Sequence, residues 1–362
     1  MDKAVLQRVK DFQKLLKNAH LDGYVCVDET ELHYFMPLFE EGDSAILLIT
    51  PRQIYAFTKA LLVPKLQLMS FLKIQVITSD LLTSVLNFAR QKKLLRLAFN
   101  PDAIDFRTGE KLVQAGLTRL EGGVLEMRKA KYADEIATIT AACRLTAQAL
   151  DEVHPQIKTG MTEEEVSRLL ACAMVKRGAS SAPFVIVSFG ENCADCHHVP
   201  SNKRKLKKND AVLIDFGCTY KGYYSDMTRS WWHGDKEPAE YTRIWHFVHM
   251  AKEAAAKQTQ VGSPIAAIDK TARSIIEDGG YGEYFIHTTG HGVGLNIHEA
   301  PTVYKNTPGV LDENFVVTIE PGIYLPGKYG VRLEDTYLVT KKGAKSLTGK
   351  ITAHRATNRG KL

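Results

Sequence analysis

The sequence predicts an α+β protein of two domains, the second built from two similar halves that face each other about a pseudo-twofold axis. Three observations lead there. Helix and strand signals alternate through residues 1–125, the pattern of an α/β layer. From about residue 130, long helix pairs take over, and each pair is followed by a histidine segment, a strand carrying one acid and a return strand carrying another. The two sets are displaced almost evenly: His197 and His298 are 101 residues apart, Asp215 and Glu320 105, Asp226 and Glu334 108. That regularity is the mark of an internal duplication over residues 130–340.

In the N-terminal region, apolar runs at residues 24–27, 45–49, 74–77 and 95–99 predict strands, and 3–19, 59–70, 80–92 and 102–115 predict helices. This region holds no Gly-rich phosphate loop and no cluster of ligand-type residues, so its expected role is architectural. The Gly122-Gly123 turn marks its end. The expected domains are 1–125, 126–340 and a basic tail, 341–362.

A long helix is expected from Tyr132 to about Val153. The next helix opens at Thr162, with Glu165 placed to close a capping box and Met161 to staple against Val166, and it ends at Gly178. A second pair covers about 238–259 and 264–278, the latter opened by Ser263-Pro264 and closed by Gly279-Gly280.

Composition narrows the class. With 44% hydrophobic and 24% charged residues, the chain reads as a globular protein. No apolar run reaches the length of a membrane span, and the N-terminus lacks the pattern of a secretion signal. No membrane association and a cytoplasmic location are therefore expected. The net charge of +6 comes from residues 341–362, which carry seven Lys/Arg and no Asp/Glu and leave −1 on the rest. Such a tail reads as solvated, with no nucleic-acid partner. Six cysteines in that setting are expected to be reduced, with Cys143 and Cys172 in the core. Cys193-Ala194-Asp195-Cys196-His197 matches a haem-attachment spacing, but that chemistry requires export.

The acids carry the chemistry. Asp215 interrupts the apolar run Ala211-Val212-Leu213-Ile214, and Asp226 follows eleven residues later. If the chain reverses between Tyr220 and Lys221, the two lie directly opposite each other. Glu320, after Val316-Val317-Thr318-Ile319, and Glu334 repeat the arrangement around a Pro326-Gly327 turn. Opposed side chains in an antiparallel pair have Cβ atoms about 5 Å apart, where two buried carboxylates repel. Arg332 can neutralise one of the four, so divalent cations are expected to neutralise the rest. His291, inside Gly290-His291-Gly292-Val293-Gly294, adds an imidazole. Four carboxylates and one imidazole make a hard, oxygen-rich set that favours Mn²⁺, with Co²⁺, Fe²⁺ or Zn²⁺ as alternatives. Two such ions activate water and polarise a carbonyl, the requirements of amide hydrolysis.

These strings, together with Ser225-Asp226-Met227-Thr228-Arg229, His298-Glu299-Ala300-Pro301, Glu320-Pro321-Gly322-Ile323-Tyr324 and Gly330-Val331-Arg332-Leu333-Glu334-Asp335, resemble the pita-bread metallopeptidases. That group includes methionine aminopeptidase, aminopeptidase P, prolidase and the metal-free creatinase. The resemblance covers about 130–340 and implies a pita-bread catalytic domain behind a smaller creatinase-like N-terminal domain. It implies two metal ions, with Asp215 and Asp226 on one, His291 and Glu320 on the other, and Asp226 and Glu334 bridging. It also implies His197, His298 and Glu320 as catalytic groups, His287 and Arg332 as substrate-binding groups, and a homodimer.

The N-terminal domain and the Gly-Val-Arg-Leu-Glu-Asp string resemble the proline-specific branch, whose substrates carry proline at the second position. The leading expectation is an Xaa-Pro aminopeptidase. The alternatives are an Xaa-Pro dipeptidase (prolidase), or a pita-bread protein that has lost its chemistry and serves as a binding module. Two departures bear on the pocket. Ala194-Asp195-Cys196-His197 replaces the relatives' Ala-Leu-Pro-His, and Thr288 stands where an arginine is frequent.

Overall fold

The computed structural model describes residues 2–39, 42, 44–102 and 104–349. The chain divides into two compact units, Met1–Arg128 and Lys129–Leu362. The first unit is a six-stranded mixed sheet in the order Leu72–Val76, Ile54–Thr58, Ala45–Ile49, Gly23–Cys26, Leu97–Phe99, Thr118–Arg119. Alternate residues of its strands serve opposite faces. Val25 joins Ile46, Leu48, Phe57 and Val85 in one cluster, while Tyr24 meets the ring of Phe12 edge-on at 5.0 Å. Strand Ile54–Thr58 and helix Glu29–Phe35 lie outside the elements expected from sequence. Both are short, and the helix rests on its Asp28 cap, whose side chain accepts from Glu31 N at 2.9 Å.

In the second unit, each half supplies a helix pair and an antiparallel sheet. Helices Ala133–Val153 and Glu163–Lys176 pack on strands Met227–His233, Asp210–Tyr220 and Ser181–Phe189 around Leu150, Val166, Leu170, Val187 and Ile214. The capping box between Thr162 and Glu165 is formed. Helices Ala239–Gln258 and Ile265–Asp278 share Ile244, Val248, Ile268, Val317 and Ile319 with a five-stranded sheet. That sheet runs Glu299–Val303, Gly290–Gly292, Val316–Ile319, Asp335–Thr340, Gly343–Ser346, and the hairpin Gly322–Leu325/Tyr329–Arg332 stands beside it.

Three expectations are corrected. The first hairpin turns one residue later than its sequence suggested. Lys221 and Gly222 both take positive φ, 49° and 81°, the geometry of a two-residue type I′ loop. Tyr220 therefore pairs with Tyr223, and Asp215 faces Thr228, with Asp226 two residues further along and diagonal to it. In the second hairpin, the pairs Ile319–Asp335 and Gly322–Arg332 bracket Glu320 and Glu334 in the expected register. Next, the expected tail is partly sheet: Gly343–Ser346 pairs with Asp335–Thr340, and residues 350–362 lie outside the described residues. Last, Cys172 is exposed whereas Cys143 is buried; all six cysteines are free. No helix among the described residues is long and apolar enough to cross a membrane.

Candidate metal centre

The site forms where the return strands of the two halves lie side by side. Glu334 N donates to Thr228 O at 3.1 Å, and Ser230 Oγ donates to Arg332 O at 2.9 Å. Thr336 Oγ1 donates to Asp226 O at 2.8 Å. This seam brings together acids that sit more than a hundred residues apart in sequence. Asp215 comes from the middle of Asp210–Tyr220, Asp226 from just before Met227–His233, His291 from Gly290–Gly292, and Glu320 and Glu334 from the matched hairpin. The glycines beside His291 are required by close approach. A Cβ on Gly290 would overlap Thr318 O, and one on Gly292 would overlap Ala300 O.

Asp226, His291 and Glu334 are buried, and each offers a ligand atom within 4.8 Å of the other two. Glu320 Oε1 lies 3.2 Å and Asp226 Oδ2 3.6 Å from His291 Nε2. Asp215 and Glu320 are half-buried. Burial, then Glu334, Asp215 and Glu320, push the Asp226 carboxyl well above the usual range. Burial, then Glu320 and Asp215, do the same to Glu334. For Glu320 burial acts upward, but the hydrogen bond and charge of His291, with Arg332, outweigh it and hold the group at about 2. His291 is raised: burial acts downward and is outweighed by Glu320.

Arg332, 3% exposed, ties Asp215 to Thr228 and Tyr324. Its Nη2 donates to Asp215 Oδ2 at 2.6 Å, its Nε to Thr228 Oγ1 at 3.1 Å, and its Nη1 to Tyr324 OH at 2.7 Å. Donor logic fixes the rest of the chain. His287 Nδ1 faces the Thr288 carbonyl at 2.7 Å, so that nitrogen carries the proton. His287 Nε2, 2.8 Å from Tyr324 OH, then accepts from the phenol. Burial lowers the His287 pKa, in keeping with this neutral ring. His298 is exposed, its ring 4.2 Å from that of His291 and nearly perpendicular to it. Burial of part of the ring, then the neighbouring His291, lower its pKa, and His197, also exposed, adds in the same direction.

Sequence reasoning missed the residues that brace this set. Asp269, fully buried, accepts from Thr289 Oγ1 at 2.8 Å and pairs with Arg273, whose guanidinium also caps the carbonyls of Phe285 and His287. The i,i+4 spacing of Asp269 and Arg273 was a visible signal, although it is more often a solvent-exposed helix pair. Asp335 takes Arg229 at 2.6 Å on one oxygen and Lys252 on the other. Arg229 in turn holds the carbonyls of Thr228 and Glu334.

The donor set fits divalent ions. Among the described residues, two buried carboxylate oxygens, Asp215 Oδ1 and Glu334 Oε1, have no hydrogen-bond donor, and a buried acceptor left without a partner is costly. Against four carboxylates the centre provides one permanent cation, Arg332. Four acids and an imidazole converging on the seam of two matched halves define a metal-dependent hydrolase of the pita-bread class. Residues 137–341 match metallopeptidase family M24, and the chain belongs to that family.

Similar solved structures cover nearly the whole chain. An Xaa-Pro dipeptidase structure from Bacillus anthracis superposes with a TM-score of 0.90 at 29% identity, covering 96% of this chain and 98% of that one. An X-Pro aminopeptidase structure from Thermotoga maritima gives 0.85 at 28% identity, covering 91% and 96%. An Xaa-Pro dipeptidase of Pyrococcus furiosus is 40% identical over 232 residues, a match spanning 64% of this chain and 66% of the relative.

Proposed function

We propose that this chain hydrolyses the peptide bond before proline, with Xaa-Pro dipeptides as its substrates and two Mn²⁺ ions as cofactor. The single observation that carries the reading is the set of buried carboxylate oxygens left without donors at the seam. The naming of two relatives as Xaa-Pro dipeptidases supports the dipeptide. Asp215, Asp226, His291, Glu320 and Glu334 would hold the ions. Such ions, when bound, activate a water and polarise the scissile carbonyl.

The remaining steps belong to side chains. Glu320, whose Oε1 accepts from Thr318 Oγ1 at 3.3 Å, would receive the proton of the attacking water on its other oxygen, Oε2, and deliver it to the proline nitrogen. His298, kept neutral by burial and by His291, donates to the carbonyl oxygen as charge develops there. His197 meets the substrate at the scissile amide. Arg332 holds Asp215 and Tyr324 in place, and His287, oriented by Tyr324, lines the pocket for the prolyl side. The protein works as a homodimer.

A second reading, an Xaa-Pro aminopeptidase acting on longer peptides, is favoured by Thr288. A neutral side chain beside His287 grips a substrate carboxylate less firmly than arginine does. The test is turnover of Xaa-Pro against Xaa-Pro-Yaa by metal-depleted enzyme resupplied with Mn²⁺, Co²⁺ or Zn²⁺. The proposal expects the dipeptide to have the higher kcat/KM, with Mn²⁺ restoring the most activity. A tripeptide preference would select the second reading, and no metal-dependent turnover of either peptide would reject both.

A further inference from the structure

Outside the carboxylate centre, Glu163 is a fully buried acid whose carboxylate meets residues 189–201. Its Oε1 accepts from Phe189 N at 2.9 Å and from Asn192 Nδ2 at 2.8 Å. Its Oε2 accepts from Ser201 N at 3.1 Å and faces His198 Nε2 at 2.8 Å. Three of these partners can only donate, so an ionised carboxylate is the species that satisfies them. His198 Nε2 must then carry a proton as well. Such a group is firmly held, because charge-assisted hydrogen bonds are stronger than neutral ones and their geometry here is convergent.

The positions of the four donors matter more than their number. Phe189 and Asn192 lie where the chain leaves strand Ser181–Phe189, and His198 and Ser201 lie where it returns toward Asp210–Tyr220. Between these anchor points stands His197, exposed and immediately before His198. Within the loop, Cys193 is buried in the core with Cys196 packed beside it, while the backbone at His197 and His198 has local partners: His197 N donates to Asp195 Oδ1 at 3.1 Å and His198 N to Asp195 O at 3.3 Å. Glu163 itself is the first residue of a helix whose start is closed by the Thr162–Glu165 capping box.

We propose that Glu163 is a positioning residue for His197: its carboxylate clamps both ends of the 189–201 loop, His198 serves as one jaw, and His197 is thereby presented to the substrate amide. This rests on the reading of His197 as a substrate-contacting group. A loop residue can be placed precisely enough for chemistry only if something rigid holds it. Misplacement by about 1 Å is enough to cost about 10²-fold in rate.

The experiment is a double-mutant cycle of Glu163→Gln with His197→Ala in the full chain, on an Xaa-Pro dipeptide with Mn²⁺. Glutamine keeps the shape but sets an N–H₂ against the loop's donors. Expected for Glu163→Gln are a kcat at least about tenfold lower, a KM within about threefold, and unchanged Mn²⁺ affinity by calorimetry. Amide exchange in the metal-free protein should quicken at Phe189 and Ser201. In the His197→Ala background, Glu163→Gln should lower kcat no further, because both changes remove one function.

Full multiplication of the two effects, or an unchanged kcat in Glu163→Gln, would overturn the proposal. If His197→Ala alone keeps full activity, the reading of His197 fails and takes the clamp with it, an outcome distinguishable from the first two. Should Glu163→Gln not fold, His198→Ala removes a single jaw from the half-buried side of the loop. It is expected to lower kcat with the same non-additivity toward His197→Ala, and independence there would be equally fatal.

Discussion

Replacing Asp226 by asparagine separates the electrostatics of the centre from the folding of the chain. The side chain is 4% exposed, and burial together with Glu334, Asp215 and Glu320 raises its pKa. A carboxyl raised in the folded state contributes its full share of stability below its unfolded pKa. That share is lost as pH climbs through the folded value, at about 1.4 kcal/mol for each unit of the shift. Metal-free wild-type protein should therefore be less stable at pH 8 than at pH 5 on account of this group, and Asp226→Asn should remove that part of the loss.

Bound dications reverse the balance. At a hundred times Kd, one ion adds about 2.7 kcal/mol, which for a unit the size of Lys129–Leu362 raises Tm by about 5–11 °C. Scanning calorimetry of both proteins at pH 5 and pH 8, with and without Mn²⁺, reads all of this. The wild type should show the metal-induced rise and Asp226→Asn should show little of it, with dipeptide hydrolysis abolished. A rise in the variant equal to that of the wild type would refute the reasoning.

Two further outcomes follow from the bracing residues. Gly290→Ala places a Cβ on Thr318 O and must displace the strand that carries His291. A stability loss of about 1–3 kcal/mol in urea and a Mn²⁺ affinity lowered at least about tenfold are expected from denaturation and calorimetry. Asp335→Asn leaves Arg229 and Lys252 buried without their acid, at a cost of about 3–5 kcal/mol measured by urea denaturation. Burial acts upward on Asp335, but Arg229 and Lys252 outweigh it and lower its pKa. Its stabilisation is thus present above the unfolded carboxyl value and lost as pH falls through the folded one, and that acid-side loss should shrink in the variant.

Much of the fold was written in local signals. The helix at Glu163 announced itself through Thr162 and Glu165 because a capping box is a short-range device. Strand Ala45–Ile49 appeared as an uninterrupted apolar run because both its faces are covered. What the sequence hid was set by turn geometry and by tertiary partners. Lys221 in the left-handed region is unusual for a residue with a Cβ, so the hairpin reads one residue short and Asp215 seems to face Asp226 when it faces Thr228. Strand Ser181–Phe189 alternates too loosely to stand out, since its first residues are partly exposed. Cys172 lies on a helix whose apolar stripe is narrower than its composition suggests.

In the candidate site, the acids stood out because carboxylates in apolar strands violate the usual partition. Their partners did not. Tyr324 looks like any buried aromatic until Arg332 and His287 are seen on either side of its hydroxyl. Glu163 looks like one of three acids in a helix's first turn until its burial is known. Long-range hydrogen bonds leave no periodic trace in a sequence, whereas crowded charge does.

Anomalous scattering from Mn²⁺-soaked crystals tests the central claim most directly. The account predicts two manganese peaks at the seam, one against Asp215, Asp226 and Glu334 and the other against His291, Glu320 and the same two bridging acids. Peaks at other residues, or no peak there at a Mn²⁺ concentration that supports full activity, would contradict it.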